Sequence, residues 1–141
     1  MATITEGSIR SSAPPSALFA RWADTGTWPE WNTDTEWVRL DGPFAQGSRG
    51  VLKPKGGPRV PFVIETLVPD REFVDVSRLL GARLTFRHLV EALPDGGCRV
   101  DVAVTMAGPL RRVWTRILGR GLRASLPGDL ERLVAAAEAA P

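Results

Sequence analysis

The sequence predicts an α+β fold: a curved, seven-stranded antiparallel sheet wrapped on a long C-terminal helix, with two short helices after the first strand. Three observations predict it. Seven short runs alternate apolar and polar residues with period two, as half-buried strands do. The last six runs are joined by the short connectors LDGPFAQGSRG, KGGP, VPDR, LLGA and LPDGG, and strands joined so closely are antiparallel neighbours. The C-terminal segment instead repeats apolar residues at helical spacing.

The elements follow in order. Residues 3–11 alternate around Ile4 and Ile9 and read as the first strand. Pro14-Pro15 stops it. Pro15 suits the first turn of a helix over 16–23, which carries Leu18, Phe19 and Trp22 on one face. Asp24-Thr25-Gly26 ends that helix, and Pro29 in PEWN opens a second, single-turn helix. Strands are expected at 35–40, 48–54, 60–68, 72–80, 82–93 and 98–107, each bounded by Gly, Pro or Asp where a turn needs unusual backbone angles. From Pro109 an apolar stripe starts with Leu110, Val113, Trp114, Ile117 and Leu118. It continues through Leu122, Leu126, Leu130, Leu133, Val134 and Ala137. Pro127 and Gly128 interrupt it without changing its phase, which predicts one helix kinked at Pro127, about 45 Å long.

One sheet and one amphipathic helix must bury their apolar faces on each other. A sheet of seven strands twists. Curled around a helix it cannot close fully, so a cavity is expected between the two.

Composition bounds the function. At 141 residues the chain is expected to be one domain, residues 1–141, large enough for its own core. The single cysteine, Cys98, rules out an internal disulfide and fits a reducing, cytoplasmic setting. No basic stretch followed by an apolar region opens the sequence, so no signal peptide is expected. No run of about 18 apolar residues predicts a membrane span. A net charge of +2 supplies little field, so no nucleic-acid partner is expected, and a monomer or homodimer is. Arg111, Arg112, Arg116, Arg120 and Arg123 nonetheless form a basic stripe with no acid among them. It reads either as a solvated helix face or as a contact to an anionic partner. One histidine and one cysteine cannot build a His/Cys metal site, and no GxSxG, Walker loop or GxGxxG is present. No metal and no cofactor are expected.

Strand alternation selects the residues that face the cavity. Phe62 and Ile64 are expected inward on 60–68, Leu84, Phe86, His88 and Val90 on 82–93, and Val100, Val102, Val104 and Met106 on 98–107. In 72–80 the pattern is split between Val74, Val76, Arg78 and Phe73, Asp75, Ser77. The valines are assigned inward, which carries Arg78 in as an anion anchor. Glu65, Asp75, Glu91 and Asp101 then fall outward and solvate the sheet. His88, the only histidine, has an ordinary pKa suited to acid–base work. It can equally orient a ligand oxygen or be a core histidine satisfied by a neighbour. Four of the five tryptophans lie in RWADTGTWPEWNTDTEW. Trp22 belongs to the core. Trp28 and Trp31 flank Pro29 at the cavity rim, where they line or cap it. The facing of Trp37 is ambiguous, and Trp114 and Leu118 are expected as cavity wall on the long helix.

The order of elements, with WADTGTWPEW, LDGPFAQGSRG, TFRHLVE followed by DGGCRV, and AGPL before the last helix, resembles the helix-grip proteins of the SRPBCC superfamily, the START-like and polyketide cyclase/dehydrase-related proteins. The likeness spans nearly the whole chain. It implies a hydrophobic or aromatic ligand, lipid-like or polyketide-like, held between sheet and helix. Some members are enzymes. An activity of that kind here would use His88 as acid or base, with Arg78 polarising a carbonyl. Ligand-binding protein, cyclase/dehydrase-like enzyme and basic interaction module are thus the three readings carried forward.

Overall fold

The computed structural model describes residues 2–139. Strand β1 (Ala2–Ser11) is followed by helix α1 (Pro15–Ala23), a single 3-10 turn (Thr25–Thr27) and helix α2 (Trp28–Trp31). Strands β2 (Thr35–Asp41), β3 (Arg49–Pro54), β4 (Val60–Val68), β5 (Glu72–Leu79), β6 (Ala82–Ala92) and β7 (Cys98–Ala107) then lead to helix α3 (Arg111–Ala139). All pairings are antiparallel, in the order β1-β7-β6-β5-β4-β3-β2. This is the expected α+β helix-grip architecture. Several element ends differ from the sequence expectation by one residue, because the outermost ladder bonds depend on neighbours that a local pattern does not contain.

Helix α3 lies mainly against β1, with α1 and α2 also packed on it. It runs through Pro127 without interruption. Pro127 lacks an N–H, yet the helix continues beyond it, where Leu130 and Leu133 are buried. Close approach of helix to strand needs Gly7. A Cβ there would lie 2.9 Å from Leu130 Cδ1 and 3.0 Å from Leu126 Cδ2. Large side chains occupy the space between the layers, where the cavity is expected. Trp22, Leu18, Phe73, Ile64, Met106 and Val100 are fully buried.

Two expectations about facing are corrected. The turn between β5 and β6 is a two-residue hairpin, Leu80–Gly81, which pairs Leu79 with Ala82. That register sets Phe73 opposite His88, Asp75 opposite Phe86 and Ser77 opposite Leu84. Since cross-strand partners share a face, Phe73, Asp75 and Ser77 are inward. Val74, Val76 and Arg78 are outward, the valines buried among neighbouring side chains and Arg78 exposed. The second correction concerns the apolar stripe of α3. Leu110, Val113 and Ile117 are exposed, and only Trp114, Leu118 and Leu122 of that half pack on the core. At 100° per residue, Val113 and Ile117 lie too far around the helix from Leu118 and Leu122 to share one buried face.

Gly7→Val is expected to lower the unfolding free energy by about 1–3 kcal/mol, because the added methyl groups overpack Leu126 and Leu130. Urea denaturation measures this; an unchanged midpoint would show that α3 does not need the gap.

Candidate functional site

The inner face of the sheet is built in cross-strand rows. One row runs Gly7–Val102–His88–Phe73, and the next runs Val104–Phe86–Asp75–Ile64. A third carries Met106, Leu84, Ser77 and Phe62. The inward assignments of Phe62, Ile64, Phe86, His88, Val102, Val104 and Met106 agree with this geometry. All but Phe86 are buried, and Phe86 is half-buried.

His88 sits between aromatic rings. Phe73 stacks on it at 3.9 Å between centroids and 4° between planes, and Trp22 meets it edge-on at 5.4 Å. Its Nδ1 lies 3.2 Å from the Phe73 carbonyl oxygen. A carbonyl only accepts, so Nδ1–H is the donor and Nε2 carries the lone pair of the neutral ring. Burial pushes the His88 pKa down to about 3, although the Phe73 and Phe86 carbonyls favour a proton on the ring.

Asp75 is the residue that strand alternation missed. Its carboxyl is buried on the inner face, with Oδ1 3.7 Å from His88 Nδ1. That is beyond a hydrogen bond, and Nδ1–H is already given to Phe73. Burial pushes the Asp75 pKa up to about 7, opposed only in part by its own backbone amide. Desolvation therefore outweighs the attraction between the two groups, and between about pH 3 and pH 7 the neutral acid beside the neutral base is the favoured state. The alternation of β5 is split and does not choose the face of Asp75; its register against β6 does. With Phe86 and His88 inward, reading LLGA as a two-residue hairpin fixes Asp75 inward as well.

The other candidates divide. Trp28 and Trp31 are closed into the core at 4% and 7% exposure. Trp28 donates Nε1–H to the Trp22 carbonyl at 2.9 Å and stacks with Phe62. The indole N–H groups of Trp22 and Trp31 are buried without an acceptor among the described residues. Trp37 is half-buried on the outer face, since it pairs with Lys53 while its neighbour Val38 joins the core. Trp114 and Leu118 are half-buried against the core, and Trp114 donates Nε1–H to the Leu80 carbonyl at 2.7 Å. Val76 and Arg78 lie on the opposite face from His88, so neither is brought to it.

Two open depressions, of about 480 and 450 Å³, also lie on that outer face. Most of their charged lining is already engaged: Arg87 pairs with Glu72 at 2.7 Å, and Arg99 pairs with Glu91 and Asp101 at 3.1 Å. The inner face is the better candidate because its polar pair has no such partners. Among the described residues no cluster of three or more His, Cys, Asp or Glu could hold a metal ion. Among them, too, no helix is long and apolar enough to cross a membrane.

The pair gives opposing pH dependences. Asp75 holds its proton in the folded state to about pH 7 but releases it near 3.8 when unfolded. Its contribution to stability is full below about pH 4 and lost as pH rises through 7. His88 stays neutral in the folded state down to about pH 3 but binds a proton near 6.5 when unfolded. Its contribution is full above about pH 6.5 and lost as pH falls through 3. Between pH 4 and 6.5 the two slopes cancel. Asp75→Asn removes one of them. The variant is expected to gain stability over the parent, on the order of 3 kcal/mol, as pH rises from 4 to 7.5. Urea unfolding at several pH values reads the difference; parallel profiles would place Asp75 in a solvated setting.

Comparison with known proteins agrees with this architecture. The family model described as polyketide cyclase / dehydrase and lipid transport matches residues 2–138. A comparison with curated proteins finds no match. Among solved structures, protein MLL2253 from Mesorhizobium loti superposes with a TM-score of 0.77 at 15% identity, covering 97% of this chain and 98% of that one. Ara h 8.0201 gives 0.69 at 16% identity, covering 96% and 97%. The di-domain ARO/CYC StfQ from the steffimycin biosynthetic pathway gives 0.71 at 15% identity, covering 97% of this chain and 51% of that one. At such identities these likenesses show the shared fold. With the family model matched almost end to end on a sheet that grips its C-terminal helix, the chain belongs to the polyketide cyclase/dehydrase and lipid transport family of the SRPBCC type.

Proposed function

We propose that the protein binds a hydrophobic or aromatic small molecule, lipid-like or polyketide-like, between the inner sheet face and α3. The observation that carries this reading is the Asp75–His88 pair, set without charged partners into an apolar and aromatic face. A buried polar pair destabilises a core that has no use for it. In a binding site it fixes the orientation of a ligand's one or two polar atoms. Phe86, Trp114 and Leu118 support the reading as inward but half-buried wall. The family description and the likeness to an ARO/CYC protein support the ligand class. The lone, buried Cys98 supports the expectation of a reducing, cytoplasmic setting.

Anilinonaphthalene sulfonate is expected to bind at one site and to be displaced by a long-chain fatty acid or a polycyclic phenol. Leu118→Ala is expected to weaken dye binding about tenfold. Native mass spectrometry of the purified protein reports any copurified occupant. A protein that carries none and binds neither dye nor competitor sinks the reading.

A second reading is a cyclase/dehydrase-like enzyme, and the same pair favours it. Neutral His88 supplies Nε2 to take a proton from carbon next to a carbonyl. The Asp75 carboxyl, in its neutral form, can donate to the carbonyl oxygen or protonate a leaving hydroxyl. Arg78, outward and exposed, is replaced by Asp75 as the partner of His88. His88→Ala and Asp75→Asn are each expected to cut turnover of a poly-β-carbonyl thioester by about a hundredfold or more. Undiminished turnover in His88→Ala removes this reading and leaves ligand binding standing.

A further inference from the structure

Four of the five large apolar residues exposed among the described residues gather at one end of the molecule. Leu80 is 81% exposed, Leu110 40%, Val113 52% and Ile117 63%. They are contiguous. The Leu110 N–H donates to the Gly81 carbonyl at 2.9 Å, and the Leu110 side chain packs over Gly81, beside Leu80. Leu110, Val113 and Ile117 recur at spacings of three and four, along one flank of the helix. Arg112, Arg116 and Arg120 are exposed on the adjoining flank. Next to the turn, Arg78 and Arg83 stand directly opposite each other across β5 and β6, both exposed. Like charges so placed repel unless something anionic lies over them. None of these five arginines forms an ion pair among the described residues, and no acidic residue occurs from 102 to 128.

We propose that this end of the molecule, the β5–β6 turn with the outer face of the first half of α3, docks on an anionic lipid surface. The two components require different things of a partner. The arginines need clustered negative charge, and the leucine, valine and isoleucine side chains need an apolar layer directly beneath it. A bilayer interface with anionic headgroups supplies both. A second copy of the chain covers the apolar residues only by bringing two arginine sets together with no acid between them. A nucleic acid neutralises the arginines but leaves the aliphatic side chains uncovered, and the patch presents no aromatic platform for bases. The docking surface is independent of what the interior binds, so it is tested on the full chain with no small molecule added.

Co-sedimentation with vesicles of phosphatidylcholine, with and without phosphatidylglycerol, tests it. The protein is expected to bind the anionic vesicles at low salt, to release at high salt, and to leave neutral vesicles free. Arg112→Ala/Arg116→Ala/Arg120→Ala is expected to weaken binding about a hundredfold, from roughly fivefold per arginine. Ile117→Ser is expected to weaken it about tenfold at unchanged charge. All four positions are exposed, and an unaltered circular dichroism melt confirms that the variants fold. No binding to anionic vesicles at low salt, or binding that ignores both variants, overturns the proposal. So does a dimer that Ile117→Ser dissociates, which would give the face to a second copy. Tighter binding to RNA than to vesicles would give it to nucleic acid and overturn the proposal as well.

Discussion

The two-residue turn at Leu80–Gly81 is the constraint on which the rest of the structure depends. Gly81 adopts φ +71°, which lets the chain reverse in two residues and pairs Leu79 with Ala82. That pairing decides which half of β5 faces the helix. A slip of one residue would bring Val74 and Val76 inward and expel Asp75. The same turn holds the start of α3 through two of its carbonyls, Gly81 to the Leu110 N–H and Leu80 to the Trp114 indole. One local geometry therefore sets the register of the sheet, the composition of the inner face and the position where the helix begins.

The consequence for chemistry is an acid and a base side by side in an apolar layer. Each is an unfavourable guest when charged, and the Coulomb attraction of an ion pair at 3.7 Å does not offset the desolvation of both. The molecule resolves this by keeping His88 neutral down to about pH 3 and Asp75 protonated up to about pH 7, so that both are neutral on the acid side of neutrality. A neutral imidazole whose tautomer is set by a backbone carbonyl can accept a proton at Nε2, and a neutral carboxyl can donate one. Binding and catalysis are thus not distinguished by the pair itself. They are distinguished by whether a reacting atom comes within reach of it.

The outside of the molecule follows a different logic on its two halves. Around β6 and β7 the outer face is a set of closed ion pairs, Arg87 with Glu72 and Arg99 with Glu91 and Asp101, which need no partner. Around the β5–β6 turn and the first half of α3, arginines and aliphatic side chains stand together without either acids or cover. Inside and outside meet at α3. Its inner flank presents Trp114 and Leu118 to the core, and its outer flank presents Val113 and Ile117 to solvent.

Much of this was legible in the sequence. Period-two runs, short turns and a final helical stripe determined seven antiparallel strands and a C-terminal helix, because those signals are local and each reports its own geometry. The inward set on β4, β6 and β7 was legible for the same reason: one face of each strand is plainly the more apolar. On β5 both faces carry large apolar residues, so alternation could not choose between Phe73 and Val74. The choice was made by pairing with β6. Nor could the stripe on α3 reveal that Leu110, Val113 and Ile117 stay uncovered, since a helix has more apolar circumference than one sheet can bury. The sequence by itself determined which elements form and in what order. The tertiary structure alone decided which faces meet, and with that the burial of Asp75 against His88, because register and contact are relations between strands rather than properties of any one of them.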